Sequence, residues 1–280
     1  MGKSPSTVST TRRSWTLRHK AVVRVTHWVN LLCLVVLLMS GLQIFNAHPA
    51  LYWGQASDFR TPWLAMSAER DRQGRLRGVT SLFGDEFDTT GLLGLSFVAG
   101  LGEQPRGFPA WATLPGSQWL AMGRRWHFFF AWLFVVNGLV YLVSGLVGGH
   151  FRRDLWPSGE QLRHIGRTVL DHLRLRFPKG DEARHYNVLQ KLAYLAVVFV
   201  VLPGIALAGL TMSPNLDSIL PLVSLFDGRQ SARSIHFLGA AALVVFVLVH
   251  VLMVLLTGVW NNLRSMITGW YAIDDEGRPR

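Results

Sequence analysis

Cysteine is nearly missing from this 280-residue chain: Cys33 is the one thiol, and it falls inside a long apolar run. A disulfide framework is therefore excluded, and the lack of any CxxCH excludes thioether attachment of a haem. Charge is scarce too, at 16% Asp, Glu, Lys and Arg, against about 25% in ordinary soluble domains. Acids are the scarcer sign, 17 against 28 Lys and Arg. Internal repeats and low-complexity tracts are also missing, which excludes a repeat architecture.

What is present is apolar length. Half of the residues are hydrophobic and the mean hydropathy is +0.26. Four runs, Val25–Phe45, Phe128–Val147, Val188–Leu210 and Ile235–Val259, are each long enough for a helix across a ~30 Å hydrocarbon core. The pattern predicts an all-α integral membrane protein, a single four-helix bundle over 1–280 with helices near 25–45, 127–147, 188–210 and 235–259. Two shorter runs, GLLGLSFVAG from Gly91 and LPLVSLF from Leu220, stay outside the membrane.

Positive residues set the orientation. With the N-terminus cytoplasmic, 18 of the 28 Lys and Arg lie inside, and net charge divides as +10 inside and +1 outside. Both termini are expected in the cytoplasm. A pI near 10.8 is explained by this topology and by anionic headgroups, not by nucleic acid. Arg12 and Arg13 precede a full-length span, so they read as anchoring charges and not as a cleaved export signal.

Two loops stand out. The outer one, 46–125, is rich in Gly, Pro and Trp, and loops this long are uncommon unless they do something such as dock a partner. The inner one, 148–187, contains SGEQLRHIGRTVLDHLRLRF. Its Leu162, Ile165, Val169, Leu173 and Leu175 fit a basic amphipathic helix on the headgroups, or equally a solvated connector.

Histidines inside the spans carry the chemical signal, because an ionisable group at membrane depth needs a partner or a task. His236 and His250 are fourteen residues apart on span four, within about 40° of one face and about 21 Å apart in rise. His27 matches the depth of His250 at the inner end of span one; His127, opening span two, matches His236. Two stacked pairs of imidazoles in an apolar bundle suit two six-coordinate haems b. Gly41 lies fourteen residues after His27, while Gly138 and Gly145 stay within about 20° of the face of His127, leaving room for macrocycles; helix packing alone also explains such glycines. Arg24, Arg124 and Arg125 stand within a turn of the ligands, where they would pair with propionates. His48 and His150 are reserve ligands.

These residues resemble a family. RVTHW, His127 and the HX13H of span four look like the bacterial respiratory di-haem cytochrome b superfamily, which includes formate dehydrogenase gamma, hydrogenase and thiosulfate reductase cytochrome b subunits. More narrowly, GLQIFNAHPALYWG, RRWHFFFAWLF, HLRLRFP and YNVLQKLAYL look like cytochrome b subunits accompanying periplasmic molybdopterin oxidoreductases. The resemblance covers all four spans, although the outer loop is longer than in the formate dehydrogenase relatives. It implies a bacterial inner-membrane subunit that passes electrons between such a partner and ubiquinone or menaquinone. It also implies a quinone site at the start of span three, where His185, Asn187, Gln190 and Lys191 could bond the carbonyls. Without the resemblance, these residues read as an interfacial helix start. Two other classes are weighed: a stand-alone enzyme reacting a small outer substrate such as superoxide at the outer haem, and a haem-free transporter using the histidines as a proton relay.

Overall fold

The computed structural model describes residues 12–174, 187–213, 216, 219 and 221–275. The chain runs β1 (Arg12–Leu17), α1 (Ala21–Phe45), then β2 (Ala50–Leu51), β3 (Leu64–Arg70), β4 (Leu76–Leu82), β5 (Asp85–Asp88), β6 (Leu95–Val98) and β7 (Gly102–Pro105). There follow α2 (Leu120–Val147), α3 (Gly159–Arg163), α4 (Ile165–Leu173), α5 (Val188–Ala196), α6 (Leu202–Thr211), α7 (Arg229–Leu256), α8 (Val259–Thr268) and β8 (Trp270–Asp275).

Four helical stretches are long and apolar enough to cross a membrane: α1, α2, the Val188–Thr211 stretch and α7. The third is interrupted by a π-helical turn at Val197–Val201. Pro203, in the first turn of α6, offers no N–H to that ladder, and a wider turn absorbs the mismatch. The starts of three spans lie ahead of the sequence expectation, α1 among them, which begins at Ala21 before Arg24. Helix α2 begins at Leu120 and α7 at Arg229, beyond Arg124, Arg125 and Arg233, because a charge ends a membrane-compatible run without ending a helix. At its other end α7 stops at Leu256, before Gly258 turns with φ 104°.

The expectation of an all-α chain fails between the first two spans. Strands β2 to β5 form an antiparallel sheet in sequence order, and β6 pairs with β7. The β3–β4 hairpin pairs Leu64 with Leu82 through to Arg70 with Leu76. Its turn is held by Asp71, whose carboxylate accepts from the backbone N–H groups of Gln73 and Arg75. Desolvation, the largest single contribution, raises the Asp71 carboxyl, but these two hydrogen bonds, a third from Arg75 Nε and the guanidinium charge together hold it below the usual carboxylate range. The alternation in LAMSAER and LRGVTSL signals strands, but loop composition masked it.

Contacts divide the chain into two compact units. One gathers Trp28–Leu139 and Val198–Val244. Its core around Phe45, Leu51, Leu64 and Met66 is extended by Trp63, Phe108 and Phe237, so the end of α1, the sheet and the start of α7 share one apolar cluster. Polar contacts reinforce it: Ser234 Oγ donates to Tyr52 O at 2.6 Å and accepts from Trp63 Nε1 at 3.0 Å. Arg106 is 4% exposed and donates to Phe108 O, Gly116 O and Thr113 Oγ1.

The other unit gathers Met1–His27, Val140–Val197 and Val245–Arg280. Here β1 and β8 pair antiparallel, Arg12 opposite Asp275 and Leu17 opposite Trp270. Helix α8 locks onto this sheet through Asn261, whose amide both donates to Ala272 O (2.8 Å) and accepts from Ala272 N (3.0 Å). The basic segment between the second and third spans forms α3 and α4, α3 opening on a Ser158–Gln161 capping box. Leu175 and His185 lie outside the described residues.

Candidate functional site

The histidines of the spans come together in two pairs. In the first unit, the His127 and His236 ring centroids are 6.0 Å apart with planes at 63°. In the second, His27 and His250 stand 6.3 Å apart at 59°. Two imidazoles that held one metal ion through Nε2, at about 2 Å each with roughly 1.1 Å from Nε2 to the ring centre, would stand about 6.2 Å apart. Both separations match.

The rings of the first pair are also oriented. Ser40 Oγ donates to Val36 O at 2.6 Å. Its single proton is thus committed, and toward His127 Nδ1 at 3.1 Å it accepts. His236 Nδ1 lies 2.8 Å from the carbonyl of Ile205, which only accepts. Each Nδ1 therefore carries the proton and each Nε2 keeps its lone pair for a metal, the arrangement that outer-shell partners impose on ligating histidines. Glycines flank both rings: a Cβ on Gly41 would fall 3.3 Å from His127 Cε1, and one on Gly209 3.2 Å from His236 Cε1.

Around the second pair, Phe246 stacks on His250 (5.9 Å, 17°) and Tyr194 meets Phe246 edge-on. His19, just before α1, is held neutral: its pKa is lowered to about 4, first by burial and then by Arg18, His27, His150 and Arg24.

The remaining candidate residues occupy varied surroundings. Gly138 faces open space, whereas a Cβ on Gly145 would overlap the Phe151 ring. Arg24 donates to Ile267 O, tying α1 to α8. Arg124 lies over the Phe128 ring at 5.7 Å, and Arg125 is exposed. Asn187 and Gln190 form a reciprocal capping box at the start of α5. Lys191, 8% exposed, donates to Trp156 O and Gln161 Oε1, both at 3.3 Å. His150 Nδ1 binds Asp154 at 2.6 Å; His48 stacks on Tyr52, its pKa lowered by burial and by Arg233.

Ser40, Gly209 and the Ile205 carbonyl were not singled out from sequence. Neither was the bond of 2.8 Å from Asn137 Nδ2 to Asn30 Oδ1, which satisfies two amides within the spans. An i−4 serine bond is ordinary in a helix, and span three carries no histidine from which to phase Gly209.

Among the described residues no group of three or more His, Cys, Asp or Glu could hold a metal ion. Two facing imidazoles instead suit an iron whose other positions a macrocycle fills, and helices presenting such pairs within membrane spans define the class of membrane cytochromes b. The chain belongs to the prokaryotic cytochrome b561 family, whose profile matches residues 18–269. As a cytochrome b of this family it is a haem-binding, electron-transferring membrane protein.

Among curated relatives, it is 31% identical over 255 residues to the "Putative protein-methionine-sulfoxide reductase subunit YedZ1" of Azospira oryzae, covering 90% of this chain and 96% of that protein. It is 28% identical over 182 residues to the "Probable Ni/Fe-hydrogenase B-type cytochrome subunit" of Cupriavidus necator, covering 59% of this chain and 75% of that one. No solved structure gives a significant match.

Proposed function

We propose that this chain is the di-haem, membrane-anchoring cytochrome b subunit that carries electrons between a periplasmic molybdopterin oxidoreductase and the quinone pool of the bacterial inner membrane. The observation that carries the reading is the geometry of the two imidazole pairs, at 6.0 and 6.3 Å, with α7 supplying one member to each. Haem b bound at each pair would supply a one-electron carrier. The chain's own residues hold and orient it: His127 and His236 through the acceptors on their Nδ1 atoms, His27 and His250 beside the Phe246 ring. Arg124 and Arg125 are the propionate partners in this reading. Arg24 belongs to that set by position, though its guanidinium is engaged on Ile267 O.

The partner assignment is supported by the sulfoxide reductase subunit relative, which matches over almost its whole length. The β-rich outer module supports it too. Phe83, Phe97, Leu101 and Trp111 there are 70–76% exposed, an apolar display that suits docking. Cytoplasmic termini accord with the positive-residue bias, and β1 paired with β8 keeps the two ends on one side. Quinone would bind near the start of α5, where Lys191 is buried with two neutral acceptors and Asn187 and Gln190 frame the turn; His185 completes the set by sequence position alone.

The test is a dithionite-reduced minus oxidised spectrum with a pyridine haemochrome count for wild type, His236→Ala and His250→Ala. Two haems b in wild type and a different one lost in each variant is the expected result. Two haems retained in both variants, or a single haem in wild type, overturns the paired-ligand reading.

A further inference from the structure

Helix α8 is attached to the protein by the wrong face for a helix in water. At 100° per residue Trp260, Leu263 and Ile267 fall within about 60° of one another, and they are 81%, 36% and 58% exposed. Asn261 and Ser265 point away from that stripe, and Arg264, about 40° from Trp260, flanks it. Asn261 is bonded to the backbone of β8. Arg264 lies over the Trp15 ring at 4.3 Å and donates to Asn261 Oδ1 at 2.6 Å, and Ser265 is 1% exposed. A soluble surface helix does the reverse, turning its apolar stripe inward.

Position supplies the occupant. Only Thr257 and Gly258 separate α8 from the end of α7, a helix of membrane-spanning length. Gly258, at φ 104°, makes the turn, and Asn262 Nδ2 secures it by donating to Thr257 Oγ1 and Gly258 O. The helix therefore starts at the membrane surface. Beside it the terminal sheet carries the same character: Trp15, Leu17 and Trp270 are 50%, 58% and 48% exposed. The register, Leu17 opposite Trp270 and Trp15 opposite Ala272, puts those three on one face. Tryptophan with flanking arginine is the chemistry of the bilayer interface.

We infer that α8 and the adjoining face of the β1–β8 sheet lie on the lipid surface. The Trp260–Leu263–Ile267 stripe enters the acyl boundary of the leaflet where α7 ends, and the polar face holds the sheet. Because Arg24 donates to Ile267 O and Arg18 N to Gly269 O, this interfacial helix also braces the start of α1, six residues before His27.

The test uses the full-length, haem-loaded protein in nanodiscs of phosphatidylcholine and phosphatidylglycerol. Nitroxides are placed at Trp260→Cys, Leu263→Cys and Ile267→Cys in a Cys33→Ser background, and collision with oxygen is compared with collision with a water-soluble nickel chelate. All three labels should favour oxygen and sit at one shallow depth, about 5–10 Å below the headgroups, while labels along α7 deepen by about 1.5 Å per residue. Equal access to the nickel chelate would place the stripe in water and overturn the inference. Poor access to both reagents would mean that protein covers it, a second copy being revealed by dipolar broadening between labels, and overturns it equally. Hydroxyl-radical footprinting of Trp260 in the unsubstituted protein decides the matter independently of labelling: slow modification in nanodiscs that becomes severalfold faster in amphipol supports lipid, and equal rates refute it.

Discussion

Ser40→Ala separates what orients His127, the proposed haem ligand, from what merely packs beside it. The serine hydroxyl bonds Val36 O and accepts from His127 Nδ1 at 3.1 Å. Alanine removes that acceptor with little change in volume and leaves the Val36 carbonyl in its helix. The imidazole then keeps Nδ1–H with the Leu37 backbone as its remaining hydrogen-bond partner, a loss of about 1 kcal/mol, or moves the proton to Nε2 and loses the lone pair a metal needs. Either route weakens ligation, and loss of such outer-shell partners typically costs 10–100-fold in affinity. In haemin titrations of the apo-protein, followed by haemochrome count and low-spin EPR, Ser40→Ala should weaken binding by about that factor at the His127 and His236 pair alone. The His27 and His250 signal should not move, and Ser40→Thr should restore most of the loss by returning the hydroxyl. Wild-type affinity with unchanged EPR in Ser40→Ala would refute the claim that this hydroxyl fixes the tautomer.

Two further outcomes test other parts of the structure. Arg106→Met removes three hydrogen bonds from a guanidinium 4% exposed and should destabilise the module between the first two spans by roughly 3 kcal/mol; limited proteolysis should then cut near 95–119 while the haem spectrum stays intact, and an uncut module would contradict the staple. His19 is held near pKa 4, so the folded protein keeps it neutral while the unfolded chain takes up a proton below pH 6.5. Stability should fall as pH drops from 6.5 toward 4, on the order of 1 kcal/mol at pH 5.5, and His19→Gln should flatten that slope in thermal melts in detergent. A midpoint that rises on acidification would reverse the assignment.

The spans were legible because twenty apolar residues leave few alternatives to a membrane helix. Counting along them also put His127 with His236 and His27 with His250, the pairs whose rings stand 6.0 and 6.3 Å apart. Counting gives a residue's height and phase on its own helix but not the neighbour it meets, so Ser40 beside His127 and Gly209 beside His236 stayed hidden. The β-structure between the first two spans was hidden for a different reason: its strands are two to seven residues long, and glycine and proline punctuate the sequence between them. Helix starts were placed late where arginines precede the apolar run.

The pairing of β1 with β8 has a consequence for how the molecule is made. The two strands lie some 250 residues apart, and at about 5–20 residues per second the first waits roughly 10–50 s for the second to leave the ribosome. All four spans are synthesised in that interval, with the leading strand's edge still open. Closure of this small sheet is therefore a late assembly event, and a chain stalled before residue 270 would expose β1 to proteases that the finished protein denies.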